Sequence, residues 1–423
     1  MSTRLSCDSM FKLSEKAFAI AMLFYTTGAV FPFLAGDPNR YSPLQGNAFN
    51  LGLQLVFYAG AFWFMAHHWK TVIHGMKHAK WIVVLLLIAI ASSAWSQDPF
   101  FTLRRSLVLL ATTAFGVYFG SRFTVPQQLR LLAWTCALVV WFSFAIAILL
   151  PRYGVDHFLH PGDWQGAFTQ KNMLARIMVL AVLVFYFAKH SMGPLARWTG
   201  IAGAFTLLVL SRSVTGAIVF TAICCTLPLY RLLRTRISFA IPVVVAIAVA
   251  TVGSAVAVAS SLTDILQLVN RSPRLTGRTD LWGAVLTAIM KHPWLGYGFN
   301  GFWQGLQGES ASVLLTVGWP ALHSHNGFLD LALDLGVLGL VVFAIGYCSL
   351  LRRALDLVGN ARGTVPIWLC TYLAFMFLYN LSESSILVDN NICWILYTST
   401  AVSLSMYVPA KLARTELATD HGR

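Results

Sequence analysis

The chain has 423 residues, of which 57% are hydrophobic and 11% charged, against roughly a quarter charged in an average soluble protein. That balance excludes a large soluble domain and points to an integral membrane protein. The formal net charge of +14 does not mark a nucleic-acid binder, because such binding gathers basic residues on one face and here they are scattered between apolar runs.

The N-terminal MSTRLSCDSMFKLSEK leads into an apolar run ending FPFLAGDP. It lacks the short core and small-residue cleavage site of a signal peptide, so it reads as a retained first span. Apolar runs of crossing length lie at about 17–35, 48–66, 80–96, 102–120, 129–150, 171–188, 194–211, 213–230, 237–260, 324–347, 364–381 and 386–408. The expected fold is all-α and polytopic with about twelve transmembrane helices. Residues 1–260 carry the first nine spans. A long hydrophilic loop occupies 261–323, and 324–423 carry the last three spans and a tail. Even parity puts both termini on one side, and 19 of the 30 Lys and Arg fall there, so that side is cytoplasmic by the positive-inside trend. The loops at 151–170 and 261–323 are then extracytoplasmic. The seven cysteines lie in spans or near the cytoplasmic side, so no disulfide framework is expected.

Within the long loop, Thr279 and Asp280 are placed to cap a helix of about 280–291. It would have Trp282, Val285, Leu286 and Ile289 on one face, with Pro293 as its stop. Such a helix would lie on the membrane surface. The following GYGFNG satisfies a dinucleotide-binding spacing, but that fingerprint has meaning only between a strand and a helix. Tight turning is the expectation, packing Trp294, Tyr297, Phe299, Phe302 and Trp303 as an interfacial belt or a stacking surface for sugar rings.

The densest polar cluster is HSHNGFLDLALDLG, His323 to Gly336, where the loop enters the tenth span. An imidazole, with an intrinsic pKa near ~6.5, suits a general base at neutral pH, which makes His325 the candidate. Asn326, Asp330 and Asp334 recur at i+4 and share a helix face. Carboxylates within a span usually face a cavity; the alternative is that they pair with arginines and hold helices together. On the same side lie Arg271, Arg274, Arg278, Lys171, Arg176, Arg212, Arg104 and Arg105. They are single residues at span ends, against the positive-inside trend. Arginine's fork suits phosphate oxygens, and Arg278 and Lys171 are the leading anion ligands. Arg104, Arg105 and Arg152 are expected to snorkel. A metal site is not expected, because His323 and His325 at i, i+2 diverge on a helix and no third ligand is evident.

GRTDLW (277–282), HPWLGYGFNGFW (292–303) and HSHNGFLDLALDLGVLGL (323–340), with WQGAFTQKN (164–172) and LSRSVTG (210–216) upstream, resemble the O-antigen ligase and polymerase superfamily. Their wording is most similar to exopolysaccharide polymerases of the ExoQ type. The resemblance implies a bacterial inner-membrane glycosyltransferase of metal-independent, glycosyltransferase-C-like kind, without cofactor. It would move glycan from undecaprenyl diphosphate to an acceptor sugar at the periplasmic face, either another lipid-linked glycan or, in a ligase, the lipid A core of lipopolysaccharide. By matching motifs, His325 takes the essential histidine role and Arg278 that of the loop arginine holding the diphosphate. Lys171, Arg212, Arg274, Asn326 and Trp303 join it as candidate substrate ligands, with Asp330 and His323 behind them. Two positions depart from the pattern. Val214 follows Ser213 where many members carry Arg or Lys, so that Arg212 or Lys171 would substitute, and Gln170 stands where the exopolysaccharide branch often has His.

The chemistry is consistent with the residues alone. A lipid diphosphate is a good leaving group that needs charge neutralisation more than protonation, which arginine and lysine supply. The acceptor hydroxyl needs a base, and a one-step displacement inverts the anomeric centre. The rival from another class is a secondary transporter or flippase, in which buried His and Asp relay protons. Such proteins commonly show internal repeats and midplane sites, whereas here no repeat is visible and the polar cluster sits at one membrane face.

Overall fold

The computed structural model describes residues 7–30, 48–157, 160–233, 277–361 and 363–407. Among them the chain is nearly all-helical, with one isolated β-bridge, Val155–Trp164. The ninth expected span and the first part of the long loop, with Arg271 and Arg274, lie outside the described residues. In chain order the helices are α1 (Cys7–Thr26), α2 (Ala48–His67), α3 (Trp69–His78), α4 (Lys80–Ala91), α5 (Pro99–Arg122), α6 (Val125–Leu149), α7 (Lys171–Phe187), α8 (Pro194–Leu210), α9 (Val214–Leu233), α10 (Arg278–Lys291), α11 (Ser310–Val317), α12 (Gly327–Asn360), α13 (Val365–Asn380) and α14 (Ile392–Met406).

The boundaries follow local chemistry. Thr124 and Gln127 form a capping box at the start of α6, with a proline in its first turn. Prolines likewise open α8 and α13. Four helices are long and apolar enough to cross a membrane: Phe49–His67, Pro99–Arg122, Val125–Leu149 and Gly327–Asn360. A fifth crossing exists if α3 and Lys80–Ala94, bent by 92°, count as one broken span. The described residues thus supply four to five such helices where about twelve were expected. Several of the remaining apolar runs form helices of 15 to 17 residues, about 22–26 Å long at 1.5 Å per residue and short of a ~30 Å hydrocarbon core. Phe49, Leu55, Val56, Phe62, Trp63, Leu138 and Trp141 point outward, which lipid tolerates and water does not. The chain is a multi-pass membrane protein.

The chain divides into two compact units. One comprises residues 1–75, 111–220 and 390–399; the other comprises 76–110, 221–389 and 400–423. In the first, α7 packs along α8 and α6, and Gly200 lets α8 close on the Phe185 ring, which a Cβ there would meet at 2.8 Å. In the second, α12 packs on α4, α13 and α10.

A break in α12 organises the second unit. Gly336 lies at φ +62, ψ −161, inside an otherwise helical run. The groups freed on either side of it are taken up by the HPWLGYG turn. Tyr297 N donates to Leu333 O (2.7 Å), Gly298 N to Asp334 O (3.0 Å), Val337 N to Pro293 O (2.8 Å) and Leu338 N to Trp294 O (3.2 Å). A Cβ on Gly336 would sit 2.3 Å from Trp294 C, and one on Gly296 2.4 Å from Leu333 O. Only glycine allows two backbones this close at positive φ. The GYGFNG segment does turn tightly, as its composition implied, and its partner is a helix break that the apolar periodicity of LDLGVLGLVV conceals.

Helix α10 begins at Arg278, earlier than expected. Its cap is Gly277 at φ +59 with no side-chain hydrogen bond, in place of Thr279 or Asp280. Leu281, Val285, Ala288 and Ile289 are buried, with Tyr297, Phe302, Val313 and Leu333 in one apolar cluster. Leu286, assigned to that face from the sequence, is exposed instead. Tyr297, Phe299 and Phe302 are fully buried and are therefore neither a belt nor a stacking surface, whereas Trp294 is 73% exposed. Burying side chains of this size stabilises by about 1.5–3 kcal/mol each, which fixes α10 and its first residue against α12.

Candidate active site

The second unit gathers the polar residues of three segments at the start of α12. His325 sits just before the helix at φ +53, a left-handed conformation uncommon for a non-glycine residue and frequent where function stores strain. Its backbone N–H donates to His323 Nδ1 at 3.1 Å, and the two rings lie 4.1 Å apart between centroids, tilted by 53°. The Trp319 ring is 6.0 Å away. The expectation that the two imidazoles diverge rested on a helix that does not extend this far: helical geometry begins only after Asn326, and the turn brings the rings together.

Glu383, in the connection from α13 to α14, completes the group. Arg278 Nη2 donates to its Oε1 at 3.1 Å, and His325 Nδ1 lies 3.5 Å from its Oε2. The second distance is long for a hydrogen bond, but catalytic contacts often tighten only with substrate bound. Glu383 is 5% exposed. Burial alone would raise its carboxyl pKa, but contact with His325 and the charges of His323 and Arg278 more than reverse this and hold it at about 2.

The same residues are locked from behind. Asn326 caps α12, its Oδ1 accepting from Phe328 N (3.0 Å) and Leu329 N (3.2 Å) while its Nδ2 donates to Leu381 O (3.3 Å). Gly327 N donates to Glu383 O (3.2 Å), an approach so close that a Cβ on Gly327 would meet Asn380 Oδ1 at 2.1 Å. Asp330 ties three segments together. It accepts from Trp303 Nε1 (3.0 Å), from Ser324 N (2.9 Å) and from the Ser384 hydroxyl. Trp282 Nε1 donates to Ser324 O (2.9 Å). Asp334 accepts from Asn300 N (3.0 Å). Thus Asn326, Trp303 and Asp330 each spend polar groups on the scaffold, and the i+4 carboxylates bind the loop rather than arginines.

The other basic candidates are placed differently. Lys171 and Arg212 belong to the first unit, where both meet Asp163, at 2.7 Å and 3.5 Å. Arg212 is at φ +47 and its side chain is 70% exposed. Ser213 Oγ donates to Asn172 Oδ1 at 2.8 Å. Arg105, expected to snorkel, instead pairs with buried Asp389 at 2.7 Å, because a desolvated carboxylate so placed needs a cation.

Ligand atoms of His323, His325 and Glu383 lie within 4.8 Å of one another, so the sequence argument against a third metal ligand does not stand: Glu383 is that group. The donor set still suits a metal poorly. The Arg278 guanidinium already occupies one carboxylate oxygen, and a second cation beside it would be repelled. The arrangement is a carboxylate shared between a permanent cation and two imidazoles, able to orient a base and to hold a guanidinium beside it.

Glu383 was the functional residue that sequence reasoning passed over. Its one signal was a carboxylate in a short turn between two apolar runs, on the side already assigned to the long loop.

No curated protein matches the chain. Residues 199–344, which hold Arg278, His323, His325, Asp330 and the turn that packs on α12, match the family described as O-antigen ligase, and the likeness is confined to that segment.

Proposed function

We propose that the protein is a bacterial inner-membrane polysaccharide polymerase that joins glycan from undecaprenyl diphosphate to a lipid-linked acceptor sugar, with its active site facing the periplasm. The observation that carries this reading is the convergence of Arg278, Glu383 and His325 at the start of α12. Glu383 faces Nδ1 of His325, which leaves Nε2 to accept the acceptor's proton. As the acceptor oxygen attacks the anomeric carbon, the bond from that carbon to the diphosphate breaks, and the lipid diphosphate leaves as an anion. The displacement inverts the anomeric centre. Arg278 stabilises the departing charge. Trp303 and Asn326 border the glycan path, and no metal takes part.

Residues 261–323 form the periplasmic loop between the first nine spans and the last three, with both termini cytoplasmic. Exposed Leu286, Met290 and Trp294 favour α10 lying at the membrane surface. A ligase acting on the lipid A core would use the same chemistry with a different acceptor groove.

The test uses detergent-purified protein, an undecaprenyl-diphosphate glycan donor and an acceptor, with products separated by size. Transfer should occur without added metal and persist in EDTA. Arg278→Ala should nearly abolish it, and Arg278→Lys should restore only part, since lysine keeps the charge and loses the fork. Wild-type transfer by the alanine variant would remove Arg278 from the diphosphate site. Substrate movement across vesicles without any bond formation would make the protein a transporter.

A further inference from the structure

At the other end of α12 the same unit holds a second polar site that the reaction does not use. A cavity of about 210 Å³ is lined by Lys77, Lys80, Trp81, Ser349, Arg353 and Ser405, among others. Its size is below the ~300 Å³ of pockets for drug-sized molecules and on the scale of a headgroup. Among the described residues no carboxylate lines it, and none of Lys77, Lys80 and Arg353 forms an ion pair.

The site is built by the fold. Gly346 admits α4, since a Cβ there would meet Trp81 Cβ at 2.9 Å. Arg353 Nη1 donates to Ser405 Oγ at 2.8 Å, and that hydroxyl donates to His78 O at 3.3 Å, which fixes the guanidinium on the cavity wall. Lys80 Nζ lies 5.3 Å from the centroid of the Trp81 ring, an aromatic and cation pairing typical of the headgroup level. From Val337, past the break, to Arg353 the helix climbs roughly 24 Å at 1.5 Å per residue. The cavity therefore lies near the membrane face opposite His325.

We propose that this cavity binds the phosphate of an anionic ligand, a phosphatidylglycerol-type headgroup or a free phosphate ester, independently of the reaction assigned above. Three cations around a half-open cavity at a membrane face match a phosphodiester in the bilayer.

The test is native mass spectrometry of the full-length protein in neutral detergent, titrated separately with dioctanoyl-phosphatidylglycerol, dioctanoyl-phosphatidylcholine and inorganic phosphate. Phosphatidylglycerol should bind at least about tenfold more tightly than phosphatidylcholine, and Lys80→Gln with Arg353→Gln should weaken it by about 30-fold. Lys80→Arg with Arg353→Lys should bind within a few-fold of wild type. Lys16→Gln with Lys70→Gln, outside the cavity, should change nothing. Inorganic phosphate displacing the lipid at comparable concentration would support a soluble phosphate ester as the ligand, and failure to displace it would support the lipid. The proposal is overturned if the double glutamine variant binds like wild type, if phosphatidylcholine binds equally well, or if the Lys16 and Lys70 variant loses as much. Both glutamine pairs should retain glycan transfer, so that a loss of lipid binding is separable from any failure of the catalytic reading.

Discussion

Glutamine at position 383 would keep the shape of the side chain and remove the charge shared by Arg278 and His325. Glu383→Gln should therefore reduce transfer while the protein still folds, because Arg278 loses its ion-pair partner and the His325 ring the carboxylate that orients it. Its effect on stability has a defined pH signature. The carboxyl is held at about 2, below the ~4.3 of an unfolded chain. The stabilisation is fully present above the unfolded value and is lost as pH falls towards about 2. Melting temperatures at pH 6 and pH 3 should fall more in wild type than in Glu383→Gln, and equal falls in the two proteins would remove the ion pair from the account. Since Glu383 stays ionised from pH 5 to 8, any loss of turnover on mild acidification belongs to another group. Arg278 and His325 were legible from their local motifs. Glu383 was not, because it lies 58 residues beyond His325 in a segment, LSESS, with no motif of its own. The role of His323 was misread for a related reason: sequence spacing assumes a helix, and the chain turns at His325 with positive φ.

At the scale of elements, the break in α12 is what holds the loop to the helix. Four backbone hydrogen bonds and Asp334 join the 293–300 turn to residues 333–338, and the same turn carries Trp303 to Asp330. Gly336→Ala should destabilise by more than the ~1–3 kcal/mol of backbone strain alone, since the added Cβ also meets Trp294 C at 2.3 Å. A thermal melt in detergent checks this, and a melting temperature equal to wild type would mean that the two backbones are not interlocked. Apolar periodicity located α13 to within a residue or two and found where α12 begins, though α12 runs 13 residues beyond the expected end and α14 starts six residues later than expected; it also foresaw α10 with its stop at Pro293. It missed the break, because a glycine in LDLGVLGL looks like any small residue on a helix face. The buried Tyr297, Phe299 and Phe302 show the same limit: composition marks aromatic residues, and only the tertiary partner tells whether they face core or membrane.

Across the whole molecule, hydropathy pointed to a multi-pass membrane protein; among the described residues four to five helices are long and apolar enough to cross, and several other apolar runs form shorter helices. The orientation drawn from the arginine and lysine census makes a direct prediction. A cysteine at exposed Thr316 should react with a membrane-impermeant thiol reagent in cells with a permeabilised outer membrane, whereas one at exposed Asn360 should not; labelling at Asn360 alone would invert the topology.

The measurement that bears most directly on the central claim is turnover and donor binding by the His325→Ala variant, in detergent, with the undecaprenyl-diphosphate donor. If the imidazole removes the acceptor proton, turnover should fall by the roughly 10² to 10⁴-fold of a positioned general base. Donor affinity should stay near wild type, because Arg278 and its basic partners hold the diphosphate. Normal turnover in that variant, or activity abolished by EDTA and restored by a divalent ion, would contradict it.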